Sequence, residues 1–75
     1  MVELKLTNGE YTYFIVIEEF KTIQDLINKL RERIVLNAPQ LLYQGEPLNP
    51  SSYISSFNFK NKAKILFNDK YNGGI

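Results

Sequence analysis

Cysteine, histidine and tryptophan are all missing from this chain. Without cysteine there is no disulfide and no thiol chemistry. With histidine gone as well, a zinc site would need carboxylates alone, and the usual imidazole general base is missing. A non-enzymatic protein with no catalytic residues, no cofactor and no metal is therefore expected. Long hydrophobic runs are lacking too: the longest, residues 13–17, falls far short of the ~20 needed to span a bilayer. The opening residues Met1 to Leu6 alternate in polarity and lack the continuous apolar core of a signal peptide. Nor is there an excess of one charge. Nine basic and eight acidic side chains leave a formal +1, which gives no electrostatic reason for a nucleic-acid or membrane partner. The expectation is one small, monomeric domain of a reducing compartment, cytoplasmic and extending to the nucleus in a eukaryotic cell.

What is present is strongly patterned. Val2, Leu4 and Leu6 alternate with Glu3 and Lys5, the period of a half-buried strand. Asn8-Gly9 follows, a short hairpin signal because both central positions of a type I′ turn need positive φ. That turn would set Leu6 opposite Tyr11, Leu4 opposite Tyr13 and Val2 opposite Ile15. Val2, Leu4, Leu6, Tyr11, Tyr13, Ile15 and Ile17 would share a core face, with Phe14 the odd apolar member of the other. Thr22, with Asp25 three residues on, reads as a capping box. Ile23, Leu26, Ile27, Leu30 and Ile34 then recur at helical spacing, and Asn37-Ala38-Pro39 closes the region.

Residues 40–44 read as a third strand ended by Gly45. Glu46-Pro47-Leu48 can be only a short edge, because Pro47 removes a ladder donor. Residues 53–57 suggest one tight helical turn with Ile54 and Phe57 inward, and 63–67 the last strand. The predicted division is a domain over 1–67 and a flexible tail over 68–75 that carries Gly73-Gly74. The β-β-α-β-β order, with the first and last strands parallel at the sheet centre, gives an α+β fold of the β-grasp kind.

Four segments carry a likeness to a known family: Thr22-Ile23 opening the helix, Leu41-Leu42-Tyr43-Gln44-Gly45-Glu46-Pro47-Leu48, Tyr53-Ile54-Ser55-Ser56-Phe57-Asn58-Phe59, and Gly73-Gly74. In that order and spacing the chain resembles ubiquitin and the ubiquitin-like protein modifiers over nearly its whole length. The resemblance implies that the Gly74 carboxylate is adenylated by an activating enzyme and passed through a conjugating enzyme's thiol. It ends on target-protein lysines. Glycine suits such a route, since a backbone without Cβ can thread narrow channels. A dipeptide position is Gly-Gly by chance only about once in two hundred at ordinary glycine usage; the alternative to a functional reading is a plain flexible tail. Ile75 departs from the pattern. It implies a precursor cut by a processing protease between Gly74 and Ile75.

The family's partner-binding patch lies on the sheet face opposite the helix. By matched position Leu42 keeps its aliphatic member and Leu66 replaces a polar aromatic ring, while Asn68 and Asn8-Gly9 are polar or side-chain-free departures. Isolated surface leucines are also common, so patch and ordinary surface both stand. Lys70 matches a tail arginine read by activating enzymes, and Asn72 replaces a second. Lys29 matches a chain-forming lysine, and Lys60 and Lys62 flank Asn61, which replaces another. With Lys64 these could equally form a solvated edge. Phe57 stands in place of a hydrogen-bonding tyrosine, which implies a 49–52 loop looser by about 1 kcal/mol. Two other functions remain: a non-covalent interaction module working through Leu42 and Leu66, and a sulfur carrier loaded at Gly74.

Overall fold

The computed structural model describes residues 1–70. Its elements are β1 (Val2–Thr7), β2 (Thr12–Ile17), α1 (Ile23–Arg31), β3 (Pro39–Tyr43), β4 (Glu46–Pro47), a 3₁₀ turn (Ile54–Phe57) and β5 (Ala63–Asp69). One five-stranded sheet runs β2-β1-β5-β3-β4. β1 and β5 pair in parallel at its centre, Leu4 opposite Ala63 and Leu6 opposite Ile65. Every other pair is antiparallel. This is the β-grasp arrangement that the element order implies.

The core lies between the sheet and α1. Leu4, Leu6 and Ile65 from the central strands meet Ile23, Leu26 and Leu30 from the helix, all at 0% exposure. The helical spacing thus gives α1 its buried stripe, although Ile34 lies beyond the helix end and is half-buried. Thr22 and Asp25 form the expected capping box, the Thr22 hydroxyl accepting from the Asp25 N–H and the Asp25 carboxylate from the Thr22 N–H. Two further N–H groups of the first turn are satisfied by the 49–52 loop: Ile23 donates to the Ser52 carbonyl and Gln24 to the Pro50 carbonyl. That loop is therefore tied to the helix through its backbone. Phe57, lacking the hydroxyl of its counterpart, stacks on Phe59 at 5.2 Å, and Phe59 meets Tyr43 edge-on at 4.8 Å.

The bonds from Thr22, its backbone N–H first and its hydroxyl second, hold the Asp25 carboxyl below its ordinary 3.8, with Lys21 and Lys29 adding to the effect. Folding lowers this pKa. The contribution is therefore complete above the ordinary value and disappears as the pH falls through the folded one. Asp25→Asn is expected to flatten the acid limb of the stability profile, read by urea titrations between about pH 2 and pH 7. Parallel profiles for the two proteins would contradict it.

Two sequence expectations are corrected. The first hairpin is offset by two positions: Val2 pairs Ile17, Leu4 pairs Ile15, Leu6 pairs Tyr13 and Thr7 pairs Thr12. Asn8 is the cause. Its Oδ1 accepts from the Glu10 and Tyr11 N–H groups, and its own N–H donates to the Tyr11 carbonyl, closing a longer loop over 8–11. Of the Asn8-Gly9 pair only Gly9 takes positive φ, at 92°. An offset of two preserves the parity of the strand, so the core face keeps its members except Tyr11, now an exposed loop residue. The turn with positive φ at both central residues lies instead at Gln44-Gly45, 54° and 83°, between β3 and β4.

The second correction concerns where the tail starts. β5 continues through Asn68 and Asp69, which pair Gln40 and Pro39. The Asp69 carboxylate accepts from the Asn37 and Ala38 N–H groups at 2.8 and 2.6 Å, and the Lys70 N–H donates to the Ala38 carbonyl. Proline at position 39 has no N–H, so Asp69 captures the two donors just before it instead. Residues 68–70 thus belong to the domain, and Gly73, Gly74 and Ile75 lie outside the described residues.

Candidate functional site

Alternation on the strands decides what the sheet shows on the face away from α1. Leu41 and Phe67 turn inward and are buried, so Leu42 and Leu66 turn outward. The ladders set these two directly opposite one another, with Thr7 beside Leu66 on one side and Pro47 beside Leu42 on the other. Leu66 is 43% exposed, and Leu42 is half-buried by its neighbours. The Gln44-Gly45 turn rises at the end of β3 and closes one side. The result is a shallow depression of about 420 Å³ lined by Leu42, Tyr43, Gln44, Gly45, Lys64 and Leu66.

Its rim is polar and asymmetric. One step along the sheet, Lys64 stands beside Lys5; one step the other way, Asn68 stands beside Gln40. An apolar floor with cations at one side suits a partner side chain that is aliphatic and has an acidic neighbour. Lys5 and Lys64, directly opposite, also repel each other, an arrangement that an anionic group laid across them would relieve. Among the described residues no group of three or more His, Cys, Asp or Glu could hold a metal ion, and no helix is long and apolar enough to cross a membrane.

The remaining sequence candidates are spread out. Lys29 lies on the last turn of α1. Lys60 and Lys62 are exposed in the turn before β5, Lys62 at φ 65° with its N–H donating to the Glu3 carbonyl. Lys70 is exposed and anchored through its backbone to the α1–β3 connection. The structure therefore brings Leu42 and Leu66 together and leaves Lys29, Lys60, Lys62 and Lys70 apart from them. Pro47 and the Gln44-Gly45 turn were missed as parts of this surface. The signal for them was the glycine after a short strand, which reads as a strand end and does not announce that the turn walls a hollow.

No protein-family model matches the sequence, and no curated protein is similar to it at the sequence level. Solved structures are similar in shape. ATBAG1, solved in complex with HSP70, superposes with a TM-score of 0.85 at 15% identity over 92% of this chain and 40% of that one. The ubiquitin-like domain of an Arabidopsis thaliana protein gives 0.86 at 13% identity over 99% of this chain and 82% of the other. The UBL domain of Plasmodium falciparum Dsk2 gives 0.80 at 14% identity, covering 88% and 93%. This chain has the ubiquitin-like β-grasp fold. It spans under half the length of the ATBAG1 chain.

Proposed function

We propose that this chain is a ubiquitin-like protein modifier, read by partner proteins through the Leu42–Leu66 depression and attached to targets through Gly74. The observation that carries the reading is the combination of this fold with Gly73-Gly74 a few residues beyond β5. Asp69 and Lys70 pin the end of β5 to the α1–β3 connection, so the chain is held at a fixed point three residues before Gly73 in the sequence. Hydrolysis of the Gly74–Ile75 bond by a processing protease frees the carboxylate. An activating enzyme joins it to AMP from ATP, releasing pyrophosphate, and an enzyme cysteine then displaces AMP to give a thioester. A lysine amine of the target displaces the thiol and forms the amide. The nucleophiles belong to the partners, which suits a chain without cysteine or histidine. Lys70 is the tail cation the activating enzyme would read, and Lys29, Lys60 and Lys62 are the exposed or half-exposed amines at which chains would grow.

A second reading is favoured by a specific observation. Two of the matched structures are ubiquitin-like domains by name and a third is a protein solved in complex with HSP70, and the depression needs no tail to bind a partner. Here the chain would act as a non-covalent module and Gly73-Gly74 would be idle. Expressing the chain ending at Gly74, and the same chain without Gly73 and Gly74, separates the two on denaturing gels. The modifier reading expects higher-mass adducts only from the first. Equal partner capture by both, with adducts from neither, would replace it with the module. A sulfur-for-oxygen mass gain at Gly74 would point to a carrier instead.

A further inference from the structure

Among the described residues Thr7 is the one polar residue that is buried, at 7% exposure. It stands beside Leu66 on the outer face of the sheet but outside the lining of the depression. Its hydroxyl is the hub of the β1–β2 connection. It accepts from the Gly9 N–H and from the Thr12 hydroxyl, both at 3.1 Å, and donates to the Tyr11 carbonyl at 3.0 Å. That uses its whole capacity as donor and acceptor. Asn8 is held in the same loop: its Oδ1 accepts from the Glu10 and Tyr11 N–H groups at 2.9 and 2.7 Å. Both groups that could react within the Asn8-Gly9 dipeptide are thereby engaged.

A glycine without Cβ lets its nitrogen come close to the preceding asparagine carboxamide, which makes Asn-Gly prone to cyclise. The Gly9 nitrogen attacks Cγ of Asn8. An N–Cγ bond forms, the Cγ–Nδ2 bond breaks, and ammonia leaves with the Gly9 amide proton. Water then opens the cyclic imide at either carbonyl and leaves aspartate or isoaspartate, the second with one extra carbon in the main chain. Crowding does not prevent this here. Asn8 and Gly9 are exposed, and no atom lies within 4 Å of the place a Gly9 Cβ would take. The hydrogen bonds do prevent it. Attack swings the Gly9 nitrogen onto Cγ, which gives up its bond to Thr7 Oγ1 and disturbs the two bonds that fix Asn8 Oδ1. We propose that Asn8-Gly9 is a latent deamidation site, kept shut in the folded protein by the Thr7 hydroxyl and released when the loop opens. Opening is thus recorded covalently. The product carries a new carboxylate on the residue after Thr7, whose other neighbour across the sheet is Leu66, so the change lies at the border of the recognition face. The site is independent of conjugation through Gly74.

The test follows deamidation at neutral pH in the full chain, in its Thr7→Val and Thr7→Ser variants, and in a synthetic peptide with the sequence of residues 5–12. Mass spectrometry reads the conversion. A second Asn-Gly stands at 72–73, so fragmentation assigns each event to its position. Asn8 in the full chain is expected to react at least about 30-fold more slowly than in the peptide, because the reaction must wait for local opening. Thr7→Val keeps the size and branching of the side chain and removes the hydroxyl, and should speed the reaction roughly tenfold. Thr7→Ser keeps the hydroxyl and should stay within about threefold of the parent chain. Urea titrations of the three proteins separate opening of the loop from unfolding of the domain. Equal rates in chain and peptide would overturn the inference, and so would a Thr7→Val rate no faster than the parent's. A Thr7→Ser rate as high as that of Thr7→Val would assign the protection to packing and overturn it too. So would a faster Thr7→Val reaction that its loss of overall stability accounts for.

Discussion

Leu6→Ala is expected to lower stability by about 2–5 kcal/mol, the usual cost of an unfilled cavity in a core. Leu6 is fully buried on the central strand β1, paired on one side with Tyr13 and on the other with Ile65. Neither neighbour can relax into the space without breaking a ladder. A domain of this length commands on the order of 4–11 kcal/mol in total, so the variant stands near the edge of folding. Its Tm should fall by about 8 °C or more. The identical change at Leu66, 43% exposed on the outer face, should stay within about 0.5 kcal/mol. Thermal melts of the two variants side by side check the contrast. Equal losses would mean that Leu66 is part of the core and unavailable to a partner.

Leu66→Asp is the second large effect, and it appears in binding. The aspartate puts an unpaired carboxylate on the floor of the depression, against Leu42. Partner capture through this face should weaken at least about 30-fold, the loss seen when a central anchor of an interface is removed. Stability should scarcely change, because the residue is already open to water. Calorimetric titration of a captured partner measures the first, and a urea titration the second. Retained affinity would move the docking surface elsewhere on the domain.

Much of this architecture is legible before any coordinates, for identifiable reasons. Strand faces depend only on parity, so Val2, Leu4, Leu6, Ile15 and Ile17 fall inward whether the hairpin turns over two residues or four. The helix is legible because Thr22 and Asp25 cap it locally and its buried stripe recurs at a fixed period. What escapes local reading depends on a side chain finding a distant or unexpected backbone partner. Asn8 binds two N–H groups within its own loop and so lengthens it, where the dipeptide suggested a tighter turn. Gln44 takes the left-handed conformation that asparagine or glycine usually fills. Asp69 reaches across some thirty positions of sequence to Asn37 and Ala38, and no pattern near Asp69 signals that reach. On the functional side, Leu42 and Leu66 were legible through their matched positions in the family resemblance. That β2 lies at an edge of the sheet was visible only as an odd phenylalanine, because which strand ends at an edge is a property of the whole sheet.

The account's central claim concerns Gly74, and tryptic mass spectrometry of proteins from the native cell addresses it most directly. Trypsin cuts after Lys70, so a conjugated target would carry Tyr71-Asn72-Gly73-Gly74 on a lysine side chain. The account predicts lysine ε-amines bearing this four-residue branch, together with free chains ending at Gly74. Recovery of chains in which the Gly74–Ile75 bond is always intact, with no branched lysine in any other protein, would contradict it.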